Sequence, residues 1–141
     1  MIPVEGYAFL DALSVGESGG DYSILYGGSH FHDFSHFPQW EGKDNSHAAG
    51  RYQFEPETWR EQAEKLGLKD FSPASQDIAA WNLAQTVYDY LTGFALLDDL
   101  AETNDNYLAD IADALHSTWT SLEEKTFPKR YDDALAKRRG T

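Results

Sequence analysis

A glutamate flanked by glycines, Gly16-Glu17-Ser18-Gly19-Gly20, is the first place where this sequence could do chemistry. Apolar Val4, Tyr7, Ala8 and Leu10 recur at helical spacing behind Pro3, and Gly16 reads as a stop, so the periodicity predicts a helix ending just before Glu17. The negative end of a helix dipole and partial burial in a cleft both disfavour a carboxylate there, and both push its pKa upward. A carboxylic acid still protonated near neutral pH is what glycosidic cleavage requires, because the departing oxygen must receive a proton. On residue type alone, a glutamate in a glycine-rich turn is more often solvated than catalytic.

Glycosidases with two carboxylates set them across the scissile bond, which makes Asp21 and Asp33 the candidates for a second acid. Neither spacing is diagnostic, and an Asp near a Ser in a turn commonly accepts from backbone amides. The run Ala48-Ala49-Gly50-Arg51-Tyr52-Gln53-Phe54 joins small residues, which let backbone approach a ligand, to side chains suited to sugar rings and hydroxyls. A plain junction between loop and helix would look the same. His30, His32 and His36 lie close together, but no zinc-ligand spacing is present, and no metal or cofactor is expected.

The elements that must position these residues follow from periodicity and punctuation. Between Tyr22 and Phe37, β-favouring Tyr22, Ile24, Leu25 and Tyr26 precede Gly27-Gly28, and alternation resumes through Phe31, Asp33 and Ser35, which predicts a β-hairpin. A helix is expected from Pro56 to Gly67, and Ser72-Pro73 opens a longer one to about Tyr90, with Ile78, Trp81, Leu83, Val87 and Tyr90 available for burial. Shorter helices are expected near 95–102, 107–117 and 128–138. The pattern describes an α+β domain, mostly helical with one small β-hairpin lobe beside a cleft, spanning residues 1–141 as a single unit.

Composition bounds the partners. A net charge of −13 opposes a phosphate-backbone partner, so no nucleic-acid role is expected. The charge is uneven: residues 1–42 hold six acids and no Lys or Arg, while six of the eleven basic residues fall between 125 and 141. The absence of cysteine excludes disulfides and thiolate chemistry. The opening MIPVEGYAFLDALSVGESGG has no basic n-region and carries Glu5 and Asp11 in its apolar stretch, unlike a signal peptide, and no stretch approaches a membrane span.

Taken in order, Glu17-Ser18-Gly19-Gly20, Tyr22-Ser23-Ile24-Leu25-Tyr26-Gly27-Gly28, Phe31-His32-Asp33-Phe34-Ser35, Ala49-Gly50-Arg51-Tyr52-Gln53 and Leu66-Gly67-Leu68-Lys69-Asp70-Phe71-Ser72-Pro73 resemble the phage-lambda-type endolysins, lytic transglycosylases of lysozyme-like fold. The likeness is specific from about Tyr7 to Trp81 and thins to Ser117–Leu122 around Trp119. Phe37 stands before Pro38, where the family tends to have histidine, with His36 one place earlier. The resemblance implies that Glu17 is the single catalytic acid/base and that Tyr52 and Gln53 contact the glycan. Ser18, Tyr22, Asp33, Ser35 and Trp81 join them as expected substrate-binding residues. It implies peptidoglycan glycan strands as the partner and transglycosylation at the MurNAc-GlcNAc bond as the reaction, with a muramidase using Glu17 plus Asp21 or Asp33, or a non-catalytic glycan-binding domain, as the rivals. A monomer made in the host cytoplasm and acting on the wall after release is expected.

Overall fold

The apolar periodicity is interrupted where glycine, proline and capping residues stand, and helices fill the intervals. A computed structural model describes residues 1–140. Among them, α1 (Val4–Glu17), α2 (Pro56–Leu66), α3 (Pro73–Thr92), α4 (Leu96–Ala101), α5 (Asp105–Leu115) and α6 (Phe127–Arg139) follow in order. Gly67 and Gly93, at φ of 70° and 76°, end α2 and α3 in the left-handed conformation that favours glycine. The Ser72 hydroxyl accepts from the Ser75 amide at 3.3 Å and caps α3. No helix is long and apolar enough to cross a membrane among the described residues.

Helix α1 is the central element. It packs against α3, α4 and α6, and Gly6, Ala8, Phe9, Leu10, Ala12, Leu13 and Ser14 are all buried, more than one stripe of its surface. Its small residues let neighbours approach closely: a Cβ on Gly6 would lie 3.2 Å from the Trp81 ring. Trp81 is therefore packed in the core, buried with its ring 6.2 Å from that of Phe9, and it does not line the cleft around Glu17. The helix also continues through Glu17 rather than stopping before it. Gly16 serves close approach instead of termination, since a Cβ there would meet the Ser121 Cβ at 2.6 Å. On α3 the buried face is made by Ala79, Ala80, Trp81, Ala84 and Tyr88, leaving the expected core residues Ile78 and Tyr90 exposed.

The hairpin expected from Tyr22 to Phe37 does not form as a sheet. Isolated bridges join Ile24 to His30, Leu25 to Ala49 and Ala49 to Phe54. The physical reason lies at both ends of the pairing. The Asp21 carboxylate takes the Ser23 amide at 2.8 Å and the Asp33 carboxylate takes the Ser35 amide at 2.9 Å, so local side-chain bonds capture donors that a longer ladder would use. The Gly27-Gly28 turn, with φ of 97° and 109°, remains. What holds this lobe is an aromatic cluster: Phe71 lies 5.7 Å from Phe31, 4.9 Å from Phe37 and 4.6 Å from Trp59, in edge or tilted geometry. Such pairs add about 0.5–1.5 kcal/mol each beyond the burial itself.

Candidate functional site

Glu17 is the last residue of α1, and it lines a cleft of about 380 Å³ with Gly16, Tyr26, Ser46, Ala48, Gln53, Glu55, Thr120 and Ser121. Burial raises its pKa above the ordinary glutamate value. Hydrogen bonds from the Ser121 hydroxyl to Oε2 and from the Ser121 backbone pull the other way without cancelling it. Ser121 can reach the carboxylate because Gly16 has no side chain to hold it off. The segment carrying Ser121 is anchored in turn, as the Trp119 indole donates to the Tyr52 carbonyl at 3.1 Å and the His116 ring meets the Leu122 carbonyl at 2.7 Å.

The Tyr52-Gln53 pair divides between two environments. Gln53 lines the cleft at a φ of 52°, a conformation costly for a residue with a Cβ, and its Nε2 donates to the Gly50 carbonyl at 2.8 Å. Tyr52 is fully buried, so it offers no ring face to a sugar. Its hydroxyl donates to Asp77 at 2.6 Å and accepts from Arg51 at 2.8 Å, and Tyr22 reaches the same carboxylate at 2.9 Å. Arg51 then donates to Asp11 at 2.9 Å, where Arg138 joins from α6 at 2.6 Å. Burial opposes the charge on Asp11, but hydrogen bonds and attraction from Arg138 and Arg51 outweigh it and hold the carboxyl below the usual range. Burial and the Asp77 charge push the Tyr22 hydroxyl upward, so both tyrosines act as neutral donors.

The loop that presents Gln53 is fixed by this network and by Gln76. Fully buried, Gln76 accepts from the Arg51 amide at 2.9 Å and donates to the Phe71 carbonyl at 2.8 Å. Gly50, at a φ of 86°, is required beside it, because a Cβ there would stand 2.4 Å from Gln76 Oε1. Ser18 ties the glycine turn to the same loop, donating to the Arg51 carbonyl at 2.7 Å and accepting from the Gly20 amide at 3.1 Å. The side chains of Ser18 and Tyr22 are thus engaged within the protein.

Asp33 and Ser35 bond to each other at 2.6 Å on the exposed surface, and neither lines the cleft. The Ser35 hydroxyl, then the Ser35 amide, lower the Asp33 pKa. Asp21 is bonded to Ser23 and to His30 at 2.8 Å, again outside the cleft lining. No group of three or more His, Cys, Asp or Glu residues that could hold a metal ion occurs among the described residues. Of the expected site residues, the structure brings Glu17 and Gln53 together in the cleft. It adds Ser121, which the weak likeness at Ser117–Leu122 could have flagged, and Glu55, which carried no sequence signal.

An acid with a raised pKa, facing an open groove beside an amide side chain, can protonate a leaving oxygen on a polar ligand laid along that groove. Comparison with known proteins gives the arrangement a family. The family model described as Endolysin matches residues 7–136. The endolysin of Escherichia phage lambda is 38% identical over 86 residues, which take in 52% of this chain and 54% of that protein, about half its length. The fold matches bacteriophage lambda lysozyme complexed with a chitohexasaccharide at a TM-score of 0.78 and 25% identity, covering 95% of this chain and 96% of the other. A second structure of lysozyme from bacteriophage lambda matches at 0.75 and 28% identity, covering 99% and 95%. The chain belongs to the endolysin family, and its fold is similar to that of the phage-lambda lysozymes.

Proposed function

We propose that this protein cleaves the glycan strands of bacterial peptidoglycan as a lytic transglycosylase. The observation that carries the reading is Glu17, whose burial at the end of α1 raises its pKa where it lines the open groove beside Gln53. Protonated Glu17 gives its proton to the oxygen of the MurNAc-GlcNAc bond, and the bond from that oxygen to the anomeric carbon breaks. The 6-hydroxyl oxygen of the same muramoyl residue closes onto the anomeric carbon, and its proton passes to the Glu17 carboxylate. The acid is regenerated, a 1,6-anhydro sugar is formed, and no water is consumed. Sugar binding by a lambda lysozyme whose structure contains a chitohexasaccharide supports a glycan in this groove. The protein would act on the wall, as a monomer, after release from the host cytoplasm.

A hydrolytic reading draws on one observation, that Glu55 lines the same cleft. Its two oxygens accept from the Ser46 hydroxyl at 2.6 Å and the His47 amide at 2.9 Å, so it is held in place as a second carboxylate. Digestion of purified sacculi in ¹⁸O-labelled water separates the two. Anhydro ends without label are expected. Reducing ends carrying label would overturn transglycosylation, and no released fragment would leave only glycan binding.

A further inference from the structure

Behind the glycine turn lies a second and larger cavity, of about 690 Å³, between α1 and α6. Arg51, Arg130, Lys137 and Arg138 line it with only two carboxylates, Asp11 and Asp133, in a chain whose net charge is −13. Both carboxylates are already engaged. Arg51 and Arg138 hold Asp11 at 2.9 and 2.6 Å, and Lys129 holds Asp133 at 2.8 Å. Among the described residues, the side chains of Arg130 and Lys137 have neither an ion-pair nor a hydrogen-bond partner, and Arg51 Nε is buried without one. Arg130 and Lys137 thus face the cavity with charge that no carboxylate among the described residues offsets, and each is able to take a carboxylate in place of water, while the buried Arg51 Nε adds positive potential behind them.

The cavity adjoins the Glu17 groove. Val15, Gly19 and Gly20 line one, and Gly16 and Glu17 line the other, so a single turn of chain separates them. Arg130 stands at that border, with Nη1 3.6 Å from where a Cβ on Gly16 would sit. We propose that this cavity binds the carboxylates of the stem peptide that the muramoyl sugar carries, while the glycan lies in the groove. The inference rests on the proposed reading of the groove as a glycan site. It gives the acidic protein a local cationic hold on an anionic polymer that its overall charge would repel. It also makes the peptide a determinant of which glycans are held, with Arg130 as the residue nearest the chemistry.

The test uses GlcNAc-MurNAc-tetrapeptide and its counterpart in which the peptide carboxylates are carboxamides, two ligands of one size and shape. By calorimetry at low salt, the wild-type chain should bind the acid form about tenfold more tightly, and added salt should shrink the ratio. The double variant Arg130→Gln, Lys137→Gln should bring the ratio close to one. Lys125→Gln, which removes a cation outside the cavity, should leave it unchanged. Equal affinities for the two ligands in the wild type would overturn the proposal. A ratio kept in the double variant would overturn it as well, even if both ligands bound more weakly. Cleavage of sacculi is measured beside this, and its absence would sink the reading of the groove while the binding ratio still decides the cavity.

Discussion

Two regions meet at the peptide bond between Tyr52 and Gln53, and they treat polar groups on opposite terms. Beneath the cleft, Asp11, Arg51, Tyr22, Tyr52 and Asp77 are linked in a half-buried chain of hydrogen bonds that leaves only Arg51 Nε unpaired among the buried side-chain atoms of the described residues. In the cleft, Glu17 is held among the described residues by Ser121 alone against the cost of burial, and Gln53 sits in a strained backbone conformation. The first arrangement favours the folded state, because losing one partner strands the others. The second leaves polar groups under strain in the fold, which suits the acid–base role proposed for Glu17. Neighbouring residues can therefore be separated by experiment into those that hold the loop and those that use it.

The largest expected effect belongs to Glu17→Gln. Glycan cleavage should fall by about 10³-fold, within the span that positioned acid–base groups contribute, with folding retained. Stability should move the other way. Because the folded-state pKa of Glu17 is raised, the stability it contributes is complete below its unfolded pKa and is lost as pH rises through the folded value. The variant should therefore melt higher than the wild type at neutral pH, by roughly 1–3 °C, and the gain should vanish at acid pH. Thermal denaturation across that pH range, with cleavage measured on the same samples, checks both signs. Near wild-type cleavage would remove Glu17 from the mechanism.

On the other side of the boundary the loss should fall on stability. Tyr52→Ala should cost about 3–5 kcal/mol, in line with the loss of a fully buried aromatic. Tyr52→Phe should cost about 1–3 kcal/mol by removing one bond each from Asp77 and Arg51, which keep Tyr22 and Asp11 as partners. Gln53→Gly offers the contrast: relief at a φ of 52° should offset the lost bond to Gly50, leaving stability within about 0.5 kcal/mol. Affinity for chitooligosaccharides should nevertheless drop severalfold. Denaturant titration paired with ligand binding would break the comparison if Tyr52→Phe proved silent or if Gln53→Gly unfolded the loop.

This division also marks how far the sequence could be read. Helix positions were legible because glycine, proline and Ser72 punctuate them, and Glu17 was legible because a helix end and a glycine turn frame it. The packing of Tyr52 was hidden, since its partner Asp77 is 25 residues away and nothing local distinguishes a tyrosine that meets a half-buried carboxylate from one that meets a sugar. Trp81 was hard to place for a related reason: it packs in the core beside Gly6, a close approach that no local pattern announces. The expected hairpin is reduced to isolated bridges because two Asp side chains compete for backbone amides, a choice between local and ladder hydrogen bonds that alternation does not encode.

Ser121→Ala should sharpen the electrostatic side of the comparison. Its hydroxyl lowers the Glu17 pKa, so its removal should let burial raise that pKa further, while the retained Cβ keeps the packing on Gly16. The alkaline limb of the pH–activity profile should move to higher pH, because protonated Glu17 is the active form in the proposed reaction. Cleavage at the original optimum should fall by about tenfold or less, as one donor near the reacting group is lost. An alkaline limb that stays in place, or moves to lower pH, would mean that Ser121 does not act through the charge of Glu17.

The smallest effects are expected from Asp33→Asn and Asp21→Asn, and their size bears on which reaction the cleft performs. Asp33 is exposed, its carboxylate is occupied by the Ser35 amide and hydroxyl, and it does not line the groove. Asp21 is similarly bonded to Ser23 and His30. An asparagine keeps an acceptor oxygen for each turn, so cleavage should remain within about twofold of wild type at neutral pH. Glu55→Gln tests the carboxylate that does line the groove. If the sugar's own 6-hydroxyl is the nucleophile, the variant should keep measurable turnover, with any deficit appearing mainly in KM through the Ser46-His47 loop that Glu55 holds. A fall in kcat as deep as that of Glu17→Gln, in a protein shown to be folded, would assign the second carboxylate to Glu55 and make the reaction a hydrolysis.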